Sequence, residues 1–155
     1  MASPALRAIL QQLVSAPPHP AALGFELGAI DDDGVTLALP WREDLVGDAA
    51  SGVLAGGVIS ALLDHACGMA VWTAMDAYQP IATLDMRIDY LRAAEPSKTV
   101  FARAATFRLT RSVAFVRGIA HDGDPEDPVA AVQAAFMLNS DSGRKAGANL
   151  KGEPA

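Results

Sequence analysis

The sequence predicts an α+β fold in which an antiparallel sheet curls around one long buried helix, and three observations carry that prediction. Residues 56–77 contain no strand periodicity and no proline, and they are apolar on nearly every side. A helix of that composition must be buried on nearly every side. In the stretch IATLDMRIDYL, Leu84, Met86, Ile88 and Tyr90 alternate with Thr83, Asp85, Arg87 and Asp89, the period of a half-buried strand. Three more strand-like segments, 99–109, 112–121 and 129–138, follow at close spacing, joined by Thr110-Arg111 and by an Asp/Gly/Pro cluster at 122–128. Such spacing favours an antiparallel meander.

Taken in order, the elements begin with an amphipathic helix. Ser3 is placed to cap it and Pro4 to occupy its first position, while Leu6, Ile9, Leu10, Leu13 and Val14 make one apolar face. Pro17-Pro18 is expected to end it. Residues 23–30 and 35–39 read as two short strands around Asp31-Asp32-Asp33-Gly34, a turn cluster able to close a hairpin. A calcium loop would need a different spacing and a distal Glu, so the aspartates read as a solvated turn. The helix from Gly56 spans roughly 30 Å at about 1.5 Å per residue. The expected organisation is an N-terminal helix and turn over 1–19, a single α+β domain over 20–138 and a flexible polar tail over 139–155.

Composition narrows the function classes. The 155 residues carry a formal charge of -6 and a pI near 4.9, which argues against nucleic acid or an anionic membrane surface as the partner. The length of the apolar helix would suit a membrane span, but Asp64 and His65 near its midpoint make an isolated span costly. Cys67 is the lone cysteine and reads as a small buried hydrophobe. One thiol builds no disulfide framework, which suits a reducing cytoplasm.

Chemistry concentrates in the long helix. A buried carboxylate must be paired, hydrogen-bonded or protonated, so Asp64 is either locally satisfied or functional. His65 points about 100° away from it on a helix, so the two do not grip one metal. His19 and His121 fall in turns and no HExxH spacing exists; no metal and no cofactor are expected. Gly56-Gly57 opens the helix, where unpaired amides and the positive end of the helix dipole can stabilise an oxyanion. A tight turn or close packing is the alternative use of the pair. No GxSxG elbow is present and Cys67 lacks a basic neighbour in sequence, which argues against serine or cysteine hydrolysis.

The segments AGGVISALLDHACGMA, IATLDMRIDYLRAA and RLTRSVAFVRGIA together resemble the hotdog-fold acyl-CoA thioesterases of the PaaI type, over roughly residues 20–138. In that family a glycine pair opens the central helix and an acidic residue follows eight positions after the first glycine, as Gly56 and Asp64 do here. The resemblance implies hydrolysis of an acyl-CoA thioester. Amides at Gly56 or Gly57 would polarise the carbonyl, Asp64 would act as general base or nucleophile, and Thr83, just before Asp85-Met86, would help to place the water or carboxylate. It also implies a homodimer or a dimer of dimers, with Gly56 and Gly57 from one subunit facing Asp64 and Thr83 of its neighbour. Arg108 and Arg111 would meet the anionic CoA moiety, with Arg92 and Lys98 as further candidates.

Two positions depart from the family pattern. Ala55 stands at the family's histidine, and Asp48-Ala49 stands where some relatives carry an Asn. These departures leave open a non-catalytic acyl- or CoA-binding protein; a hotdog dehydratase or hydratase fits less well, since it pairs a histidine with a carboxylate.

Overall fold

The structure is a computed structural model and describes residues 2–138; the expected tail over 139–155 lies outside the described residues. Helix α1 covers Pro4–Ser15, α2 Pro18–Leu23 and α3 Gly56–Met75. The strands are β1 Glu26–Asp31, β2 Gly34–Leu39, β3 Val46–Asp48, β4 Val53–Leu54, β5 Ile81–Tyr90, β6 Val100–Leu109, β7 Val113–His121 and β8 Ala130–Leu138. Six of them form one antiparallel sheet in the order β1-β2-β6-β7-β8-β5, and β3 pairs with β4 as a separate ribbon.

Helix α1 begins as its sequence dictates. Ser3 Oγ accepts from the Leu6 amide at 3.3 Å, and Leu6, Leu10 and Val14 are buried. Ile9, expected on the same face, lies at its margin and is 39% exposed. Pro17-Pro18 ends α1 but also starts α2, which was not expected. Prolines in a first turn forfeit no helical hydrogen bond, because those amides have no partner there. Gly24, at φ 75, closes α2 in the left-handed conformation. Leu23 therefore ends a helix rather than beginning a strand.

Helix α3 packs chiefly on β2, β6 and β7 in the concave face of the sheet. Leu62, Leu63, Ala66, Cys67, Met69 and Val71 are wholly enclosed. By length and hydropathy α3 would cross a membrane, yet here it is the core helix. It ends at Asp76, whose φ of 47 is left-handed, and Asp76 Oδ1 accepts from the Ser3 amide at 2.8 Å. The strands of the meander start one residue later than their sequence segments, and β8 buries Ala130, Val132, Ala134, Phe136 and Leu138 in strict alternation.

Strand β5 departs from simple alternation. It is an edge strand, and a bulge between Thr83 and Asp85 breaks its pairing with β8. An extra residue reverses the phase of the pleat. Thr83 thereby shares the inner face with Met86 and Ile88, while Leu84 is 54% exposed.

Candidate active site

Asp64 sits midway along α3, on the side facing β5. Thr83 Oγ1 donates to Asp64 Oδ1 at 2.9 Å, so the helix carboxylate and the strand hydroxyl meet because of the β5 bulge. Both line a recess of about 180 Å³ with His65, Gly68, Trp72, Ile81 and Phe136. The recess combines polar surface from Asp64, His65 and Thr83 with the hydrocarbon of Trp72, Ile81 and Phe136, a setting suited to an acyl thioester beside a reacting centre.

Gly56 and Gly57 form the first turn of α3. Ala55, the N-cap, makes no side-chain hydrogen bond to this turn, so the helix start lacks the cap that Ser, Thr or Asp would supply. Neither glycine has a positive φ. A Cβ at Gly57 would meet nothing within 4 Å, and one at Gly56 would rest on the Tyr90 ring at an ordinary 3.5 Å. Within one chain, then, neither a tight turn nor close packing requires glycine at these positions. What glycine leaves is open access to the backbone amides of an uncapped helix end.

Two residues that the sequence reading did not assign to the site converge here. Tyr90 Oη lies 2.9 Å and Ser60 Oγ 3.2 Å from Gly56 O, each within hydrogen-bonding reach of it. The two hydroxyls also contact each other. A groove of about 290 Å³ runs past Gly56 and Tyr90 along Leu54, Ile59, Leu91 and Ala94. Tyr90 was legible only as a strand residue, since nothing in its spacing points at Gly56.

The remaining candidates separate clearly. His65 Nε2 lies 3.1 Å from Leu13 O, and its ring packs near Phe25, so it pins α1 to the core. Burial lowers its pKa below the ordinary value, against the partial opposition of the Leu13 carbonyl and Asp64. Cys67 is fully buried, and desolvation followed by the Asp64 charge pushes its thiol up to about 12. That is an inert thiol. Arg92 is bound by both oxygens of Asp122, at 2.9 and 2.6 Å, and lies 3.1 Å from Asp127; Lys98 pairs with Glu95. Both cations are engaged in the fold itself.

Arg108 and Arg111 are exposed at the β6–β7 turn. Thr83 pairs with Phe136, Phe136 with Ala114, and Ala114 with Leu109, so this turn lies three strand spacings from Thr83, about 14 Å. The structure of one chain does not bring these arginines to Asp64. Asp48 holds its own turn, accepting from Ser51 Oγ at 2.6 Å and from the Ala50 amide at 3.2 Å. Among the described residues no three His, Cys, Asp or Glu side chains converge as a metal site.

A six-stranded antiparallel sheet wrapped around a glycine-led helix, with one carboxylate midway along it, defines the hotdog class of the PaaI type. The chain belongs to the thioesterase superfamily, whose sequence profile matches residues 51–129. It is similar to a protein of Pseudomonas aeruginosa of known crystal structure, with 39% identity and a TM-score of 0.79 over 86% of this chain and 99% of that one. It is also similar to a mutant of the phenylacetic acid degradation protein PaaI from Thermus thermophilus, with 27% identity and a TM-score of 0.68 over 79% of this chain and 100% of that one. Among curated proteins it is 28% identical to the medium/long-chain acyl-CoA thioesterase YigI of Escherichia coli (strain K12), over 88% of this chain and 96% of the relative.

Proposed function

We propose that this protein hydrolyses acyl-CoA thioesters to the free acid and CoA at a site built from Asp64, Thr83 and the Gly56-Gly57 turn. The observation that carries the reading is the 2.9 Å bond from Thr83 to Asp64 in a recess that Trp72, Ile81 and Phe136 also line. The threonine orients one carboxylate oxygen and leaves the other to the chemistry. Membership of the thioesterase superfamily and the likeness to YigI support the substrate class.

In the general-base form of the reaction, Asp64 takes a proton from water as the water oxygen bonds to the thioester carbon. The carbonyl electron pair moves onto oxygen, where the amide of Gly57 or Gly56 holds it. Collapse of the intermediate breaks the C–S bond, and the departing sulfur recovers the proton from Asp64. In the nucleophilic form, an Asp64 oxygen itself bonds to the carbon, the thiolate leaves, and water then opens the resulting anhydride.

The active unit is proposed to be a homodimer or a dimer of dimers. Gly57 and Asp64 lie seven residues apart on one helix, about 10.5 Å of rise, too far to act on the same carbonyl from one chain. The unpaired edge of β5, which exposes Leu84 and Tyr90, invites pairing with a second copy. An antiparallel partner helix would then set the glycines of one subunit opposite Asp64 and Thr83 of the other. Arg108 and Arg111, which form no ion pair with a described residue, suit the anionic end of CoA. The buried, unpaired Cys67 fits a reducing cytoplasm.

The test is thiol release from a panel of acyl-CoAs by the wild type and by Asp64→Asn, with folding and oligomer size measured for both. The reading expects turnover by the wild type and loss of it in the variant. Tight acyl-CoA binding with no turnover would support the binding-only alternative that Ala55 leaves open, and hydration of an enoyl-CoA would support a hydratase.

A further inference from the structure

The tip of Tyr90 reaches from the end of an edge strand to the first turn of the core helix. Although the residue is 51% exposed, its hydroxyl lies 2.9 Å from Gly56 O, Ser60 Oγ lies 3.2 Å from the same oxygen, and the two hydroxyls bond each other, so with one proton apiece one donates to Gly56 O and the other to its neighbour. Within one chain the half-exposed tyrosine gains little packing from such a position. The oxygen it holds belongs to the peptide between the two glycines at which the proposed oxyanion would sit.

We propose that Tyr90 and Ser60 are positioning residues that hold the Gly56–Gly57 peptide and so aim the Gly57 amide out of the helix end. This rests on the hydrolytic reading above. A trans peptide is planar, so its C=O and N–H point in opposite directions and fixing one fixes the other. Glycine has the widest backbone freedom, and Ala55 offers this turn no side-chain hydrogen bond. The helical bond from the Ser60 amide already holds this carbonyl, and the hydroxyl pair adds a second restraint on the same oxygen, on a turn whose amide side is open. Hydrogen bonds on the oxygen also polarise the peptide and strengthen its N–H as a donor.

The pair of hydroxyls has a second consequence. Ser60 lies one helical turn after Gly56 and binds back to it, while Tyr90 arrives from β5, so the clamp ties the edge strand to the glycine turn. The clamp thereby couples the position of the subunit edge to the direction of the amide.

The experiment uses the full chain with Tyr90→Phe, Ser60→Ala and the double variant. Steady-state kinetics are measured on whichever acyl-CoA the wild type turns over, and the amide nitrogen and proton shifts of Gly57 are recorded by NMR. Phenylalanine keeps the ring against Gly56 and removes only the hydroxyl. We expect kcat to fall about 3- to 10-fold in each single variant with KM within about 2-fold, the change expected when one neutral hydrogen bond is lost in the transition state. The double variant should lose less than the product of the two, and Ser60→Thr should restore the rate. The Gly57 resonance should move in Tyr90→Phe while thermal stability stays near the wild type. An unchanged Gly57 resonance, or an unchanged kcat in Tyr90→Phe, would overturn the clamp. If the wild type hydrolyses no acyl-CoA, the function fails separately and the resonance alone decides whether the peptide is held.

Discussion

Thr83 Oγ1 donates to Asp64 Oδ1 at 2.9 Å across the gap between an edge strand and the core helix. The bond engages one of the two carboxylate oxygens, Oδ1. Thr83→Val keeps the shape of the side chain and removes the donor, whereas Thr83→Ser keeps the donor. Hydrogen bonds to charged groups are worth about 1.5–3 kcal/mol, equivalent to roughly 10- to 150-fold in rate if wholly expressed in the transition state. We expect kcat to drop within that range in Thr83→Val and to stay within a few-fold in Thr83→Ser; equal rates in all three proteins would remove Thr83 from the site.

The glycine turn should show opposite effects on stability and activity. An added methyl at Gly57 meets nothing within 4 Å in the chain, and alanine in place of a helical glycine is stabilising by up to about 1 kcal/mol. Gly57→Ala is therefore expected to unfold at an equal or higher temperature while hydrolysing its substrate more slowly. Calorimetry and steady-state kinetics on the same preparation test this. A destabilised but fully active variant would mean that the glycine serves the fold.

His65 gives stability a pH dependence of definite sign. Its folded pKa lies below the ordinary 6.5 because burial disfavours the cation. The unfolded chain binds the proton more readily, so this contribution is present at neutral pH and is lost as pH falls through 6.5 toward the folded pKa. Chemical denaturation at a series of pH values should show a decline over that window, and His65→Gln should flatten it. A wild-type curve flat in that window would contradict the burial of a neutral imidazole.

Cys67 should behave as hydrocarbon. With its thiol enclosed and pushed up to about 12, a thiol-specific reagent at neutral pH should leave the native protein unlabelled and active, then label one cysteine after unfolding. Mass spectrometry before and after denaturant reads this directly. Rapid native labelling with loss of activity would place a reactive thiol where burial argues against one.

The parts of the fold legible in the sequence were those set by a single local rule. Apolar character on all sides marked α3, which ends at Met75, two residues before the expected 77, because Asp76 adopts a left-handed conformation. Alternation marked β5, and close spacing between turn residues marked β6 through β8. The ribbon of β3 and β4 escaped because its strands are three and two residues long, and its turn is held by Asp48, Ser51 and a 2.9 Å bond from Trp41 Nε1 to Gly52 O rather than by any period.

The candidate site was legible where spacing along one helix carried it, as with Gly56, Gly57 and Asp64. It was obscured where it depends on register. Simple alternation puts Thr83 on the face opposite Met86, and only the bulge at Thr83/Asp85 turns it toward Asp64. Tyr90 and Ser60 are thirty residues apart, and their meeting at Gly56 is a product of the packing of β5 on α3. Arg92 and Lys98 were plausible CoA contacts by charge, but their acidic partners are supplied by neighbouring loops.

The central claim is that Gly57 of one subunit and Asp64 of another complete a single thioesterase site. Subunit complementation tests it most directly, using Asp64→Asn and Gly57→Val proteins mixed after reversible dissociation, with exchange verified by native mass spectrometry. Each variant alone should be nearly inactive. In a mixed dimer one site receives both substitutions and the other none, so an equimolar mixture should recover about one quarter of wild-type acyl-CoA hydrolysis. A mixture that exchanges subunits fully yet regains no activity would contradict the shared site.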